Sequence, residues 1–103
     1  MPRKSKKQVE KQPEIILGFE IGKIYKITGA TEVRKGPGFN QSVKLNAILM
    51  TDGKRHKLNS NGQLDEGTPV LCKEVVQGAG DQIWVRCPSG WIIARCGGKI
   101  FLV

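Results

Sequence analysis

The sequence predicts an all-β fold: one small barrel, closed or nearly closed. Three observations predict it. Thirteen glycines divide 103 residues into short segments. Those segments are rich in Ile, Val, Thr and aromatic residues, and none keeps apolar residues at i, i+3, i+4 and i+7 for three turns. Closure follows from economy of edges, because unpaired strand edges invite aggregation and a closed sheet has none. The length suits a single domain with one modest core.

The chain opens MPRKSKKQVEKQPE. Five cations stand there against two acids, a net +3 out of the chain's +8, which leaves +5 for the body. With one apolar residue after Met1 and a proline near its end, residues 1–14 are expected to form a disordered basic arm, and residues 15–103 the folded domain. A basic balance of this size suits an anionic partner: nucleic acid, an anionic cell wall or a membrane surface.

The elements follow in order. KIYKIT, between Gly22 and Gly29, is the first strand, and a short second one is expected from Thr31 to Arg34. VRKGPGFN then makes a corner. Pro37 fixes its own φ and keeps Gly36 out of the helical region, while Gly36 and Gly38 permit backbone angles that other residues resist. NAILMTDGKRHKLN reads as a hairpin about a two-residue Asp52-Gly53 turn. NSNG and Glu66-Gly67 are further turns, and Thr68–Val76 is one apolar, central strand. QGAGD is a loop, followed by QIWVRC, a Pro88-Ser89-Gly90 turn, WIIAR, a bend at Cys96-Gly97-Gly98 and a closing strand KIFLV.

Catalytic and metal-binding constellations are not legible. Cys72, Cys87 and Cys96 are odd in number and contain no CxxC pair, which suits a reducing compartment and small core hydrophobes. With His56 they make a nominal zinc set, but structural zinc ligands come in closely spaced pairs. His56 lies in KRHK, and no helix N-terminus is available to activate Cys72 or Cys87 as a nucleophile. Asp65-Glu66 flank a turn glycine, and GAGD lacks the lysine and following helix of a phosphate-binding loop. The chain is therefore expected to be no enzyme and to hold no cofactor. IILGFEIG is too short and too interrupted for a secretory signal, and no run suits a membrane span, so a cytoplasmic product as synthesised is expected.

Three blocks in order carry a resemblance. TEVRKGPGFNQSVKL holds Val33, Arg34, Gly36 and Pro37; LDEGTPVLCKEV holds Leu64, Gly67, Thr68 and Val70; DQIWVRCPSGWIIA holds Trp84, Val85, Gly90, Trp91 and Ile92. Together, from Ile21 to Val103, they resemble the bacterial Src-homology-three (SH3b-type) domain family. The departures are an inserted segment, residues 44–63, and the lack of an export signal and an attached hydrolase. The resemblance implies an SH3-like barrel and a non-catalytic binding module for a peptide or for peptidoglycan, with the glycine-proline corner framing an aromatic groove. By that analogy Trp91 belongs to the core. The expected ligand-binding residues are Tyr25, Phe39 and Trp84, whose rings offer contact area at low entropic cost, with Arg34, Asn40 and Gln41 as hydrogen-bonding partners. A module with this role and no export signal reaches a wall by lysis, by a carrier or as part of a phage particle.

Two other roles compete with this one. A small basic barrel binds nucleic acid through Lys4, Lys6 and Lys7 of the arm and Lys54, Arg55 and Lys57 of the inserted segment. A structural or assembly protein of a phage particle uses the inserted hairpin for subunit contacts; the oligomeric state is left open.

Overall fold

Residues 13–103 are described by the computed structural model. Among them no helix forms, and the chain is all-β. Ten short strands follow one another: β1 (Ile15–Ile16), β2 (Phe19–Glu20), β3 (Ile24–Lys26), β4 (Ile48–Leu49), β5 (His56–Lys57), β6 (Pro69–Leu71), β7 (Glu74–Gln77), β8 (Ile83–Cys87), β9 (Gly90–Cys96) and β10 (Lys99–Ile100). All pairing is antiparallel. The largest sheet has the order β10-β9-β8-β7, and β1-β2, β3-β6 and β4-β5 form two-stranded partners.

Single bridges carry the hydrogen bonding from sheet to sheet around one core, rather than one continuous sheet closing on itself. Ile27 pairs with Leu102, Thr31 with Leu64, and Arg34 with both Val43 and Trp91. The second strand expected at Thr31–Arg34 is present only as these bridges. The basic arm, residues 1–14, falls almost wholly outside the described residues. Glu14, at its expected end, is already tied in: its carbonyl accepts the Ile21 N–H at 2.8 Å.

IILGFE, upstream of the first expected strand, forms a β1-β2 hairpin about Leu17-Gly18, both at positive φ, the geometry that matches the twist of paired strands. Two local expectations are corrected. The Asp52-Gly53 hairpin forms, but Ile48 pairs with Lys57 and Leu49 with His56, so the connection is longer than two residues. Within that connection the Asp52 carboxylate accepts the Lys54 N–H and meets the His56 ring at 3.0 Å. The single strand expected from Thr68 to Val76 breaks into β6 and β7. There the Cys72 N–H donates to Lys23 while the Lys73 N–H donates to Arg86, so the chain changes sheets between adjacent residues.

Alternation along the main sheet defines two faces. Val75, Ile83, Val85, Cys87, Ile92 and Ala94 point inward and join Tyr25, Ile27, Val33, Leu49, Leu64, Val70 and Leu102 in the core. Fully burying each aliphatic chain of this kind contributes about 1.5–3 kcal/mol. Val76, Trp84, Arg86, Trp91 and Ile93 lie at the alternate positions, on the outer face. Trp84 and Ile93 are nevertheless buried, and they stand apart from the main core cluster.

Candidate binding face

Trp84 is covered on the outer face by the β7-β8 turn, where a Cβ at Gly78 would come within 2.8 Å of its indole nitrogen, and by the glycine-proline corner. Arg34 organises it from within: one guanidinium nitrogen donates to the carbonyls of Phe39 and Gln41 at 3.1 and 2.9 Å, and the other meets Glu32 at 3.3 Å. Lys35 and Ser42 close the base of the loop with a 2.9 Å backbone bond. The loop thus lies over the sheet, and the Phe39 ring packs edge-on against Trp84 with centroids 4.9 Å apart. Neither Gly36 nor Gly38 is at positive φ. A Cβ at Gly36 would come within 2.8 Å of the Gln41 side-chain oxygen and one at Gly38 within 2.5 Å of that of Asn40, both the ends of exposed side chains that can turn aside.

The expected groove of Tyr25, Phe39 and Trp84 does not assemble. Tyr25 is 7% exposed, on the inward side of β3; its ring meets Phe19 edge-on at 5.6 Å and its hydroxyl accepts the Glu20 N–H. Trp84 is 1% exposed, and its indole N–H donates to Gln82, as a buried tryptophan requires. Phe39 alone remains outside, 50% exposed, with Arg34 5.3 Å from its ring centre. Asn40 and Gln41 are exposed beside it, while Arg34 is committed to the loop it braces. Trp91, assigned to the core by analogy, stands on the outer face and is only partly buried. Parity decides this: Ile92 takes the inward position, so its neighbour cannot.

Trp91 instead walls a cleft of about 440 Å³ at the tip of the β8-β9 hairpin, lined also by Lys35, Lys44, Arg86 and the Cys87–Gly90 turn. Each cation reaches it by a separate route. The Arg34 backbone exchanges two hydrogen bonds with Trp91, 2.8 and 2.9 Å long, which sets Lys35 beside the hairpin. Lys44 donates through its backbone to Val33 and through its ammonium to the Ser89 carbonyl. Arg86 lies directly across from Trp91 in the β8-β9 register and uses its Nε on Glu74 at 2.9 Å. Gly90 permits the crossing, because a Cβ there would sit 2.8 Å from both the Arg34 carbonyl and the Val33 side chain.

The other expected cations are arranged less favourably for a phosphate. Lys54, Arg55 and Lys57 are exposed at the β4-β5 end, but Arg55 and Lys57 share a hollow with Asp65 and Glu66. Lys4, Lys6 and Lys7 lie outside the described residues. The Trp91 cleft gathers three cations, of which Arg86 is ion-paired with Glu74 while Lys35 and Lys44 meet no carboxylate in the lining, and this makes it the stronger anion site. Sequence reasoning missed Lys35, Lys44 and Arg86. Only the i, i+2 spacing of Trp84 and Arg86 hinted at a shared face; the lysines arrive through the Arg34–Trp91 bridge, which no local pattern announces.

The remaining chemistry of the face is quiet. Burial pushes the Cys72 thiol up, and does the same at Cys87 against the opposing pull of the Ser89 and Gly90 N–H groups. His56 is engaged with Asp52, and no cluster of three or more His, Cys, Asp or Glu able to hold a metal occurs among the described residues. No helix among them is long and apolar enough to cross a membrane. Compared with family models, curated proteins and solved structures, the chain matches none.

Proposed function

We propose that this chain is a non-catalytic binding module for nucleic acid, held by its phosphates in the cleft between the corner and the β8-β9 hairpin. The observation that carries the reading is the convergence of Lys35, Lys44 and Arg86 on one concavity beside an aromatic wall. Cations gathered on one surface raise the local potential toward an anion more than the same charges scattered, and the chain's +8 adds a long-range attraction. Binding of this kind releases counterions: for single strands the logarithm of the binding constant falls by about 0.7 per phosphate neutralised for each unit of log salt.

Fluorescence anisotropy of a labelled oligonucleotide, titrated at several salt concentrations, tests the proposal. Replacing Lys35 and Lys44 together with alanine is expected to weaken binding and to flatten the salt slope by about 1.4. An affinity that stays flat between low and moderate salt counts decisively against it.

A second reading rests on Phe39, whose exposed ring packs against Trp84, lies beside Arg34 and is flanked by Asn40 and Gln41. A ring fixed before contact costs little further entropy on binding, and the resemblance of the three sequence blocks to the bacterial SH3 family makes a peptide or peptidoglycan its ligand. Sedimentation with purified, protein-free cell walls tests this. Phe39→Ala is expected to abolish co-pelleting, and a wild-type protein that stays in the supernatant removes the reading.

A further inference from the structure

From the placement of Trp91 we infer that the ligand is single-stranded, and that one unstacked base lies on the Trp91 indole while the flanking phosphates contact Lys35, Lys44 and Arg86. The inference rests on the nucleic-acid reading above. Trp91 is the aromatic member of the cleft lining and is partly exposed there, whereas Trp84, on the same sheet face, is buried with Phe39 and Gly78 against it. Its backbone is held by both hydrogen bonds to Arg34, so the ring is presented from a fixed point. In a duplex both faces of each base are covered by neighbours, so the Trp91 ring stacks only on a base that has left the stack.

The cations fit the same geometry. Lys44 is anchored on the Ser89 carbonyl at one side of the turn. Arg86 lines the cleft while its Nε donates to Glu74. Positive charge beside an exposed aromatic ring is the arrangement that tracks a backbone while tolerating any base, since every base has a stacking face. The strand would therefore be bound with little sequence preference.

The test compares a single-stranded oligonucleotide of about 10 nucleotides, within the span that such sites occupy, with the duplex of the same sequence. The wild type is expected to favour the single strand, and tryptophan emission to be quenched on binding. Trp91→Ala should weaken single-strand binding roughly 5- to 150-fold, the range of base–aromatic stacking, with the salt slope unchanged. Trp91→Phe should keep affinity within a few-fold and lose much of the quenching, while Trp91→Leu, which keeps apolar bulk, should bind as weakly as Trp91→Ala. If Trp91→Leu binds like wild type, or if the duplex binds as tightly as the single strand, stacking is refuted while the lysine-dependent reading stands. If neither form binds even at low salt, the underlying reading falls as well.

Discussion

Phe39→Ala asks whether the corner is a cover for Trp84. Half of the Phe39 side chain is out of contact with water. With about 200 Å² for a phenylalanine side chain, that is about 100 Å² of apolar surface, equivalent to ~2.5 kcal/mol at about 25 cal/mol per Å². The edge-on pair with Trp84 adds about 0.5–1.5 kcal/mol, and the alanine methyl retains a fraction of the burial, so the expected loss is about 2–3 kcal/mol. Arg34 bonds the backbone carbonyls of Phe39 and Gln41, not the ring, so the loop's own frame survives the substitution. The assay is urea unfolding followed by tryptophan emission in a Trp91→Phe background, where Trp84 is the sole reporter. Emission of the folded state should shift to the red as water reaches the indole, and Phe39→Leu should recover part of both effects. Unchanged emission together with a loss below about 0.5 kcal/mol, the ordinary range for surface substitutions, would refute the idea that the corner seals Trp84.

Three further outcomes are expected. Gly90→Ala forces a Cβ against the Arg34 carbonyl at a backbone φ of +148°, so thermal unfolding should register a loss of more than about 2 kcal/mol; a wild-type melting temperature would mean the crossing is looser than described. In the folded protein at pH 8, Cys96 should be alkylated by iodoacetamide well before Cys72 and Cys87, which are buried with raised thiol pKa values; equal native labelling of all three, read by mass spectrometry, would contradict that packing. Asp81 accepts the Gly97 and Gly98 N–H groups at 2.9 and 2.7 Å, and these bonds hold its carboxyl below the usual range. Because the folded-state value is the lower one, the stabilisation is complete above the unfolded value of about 3.9 and is lost as pH falls through the folded value. Wild type should then lose stability between pH 6 and pH 2 faster than Asp81→Asn; parallel losses would exclude Asp81.

Turns were the most legible part of the fold. Gly62, Gly67 and the Gly97-Gly98 pair all reverse the chain where the sequence places them, each at positive φ, because backbone freedom is a local property of the residue. The β8-β9 hairpin was legible for the same reason, with Pro88-Ser89 between paired Cys87 and Gly90. What alternation alone leaves open is how a strand divides between sheets. Nothing in Thr68–Val76 marks Cys72-Lys73 as the step from one sheet to the other, since both sheets accept the same apolar residues.

The site was less legible because its members meet by crossing, not by neighbourhood. From residues alone came the all-β class, the stiff corner, the basic balance and the short list of rings. Tertiary structure decided which ring is wet: strand parity turned Trp84 and Trp91 to one face, and the corner then covered Trp84 and left Trp91 beside Lys35, Lys44 and Arg86. Burial depends on what a distant segment lays over a side chain, and that is a property of the assembled sheet rather than of any stretch within it.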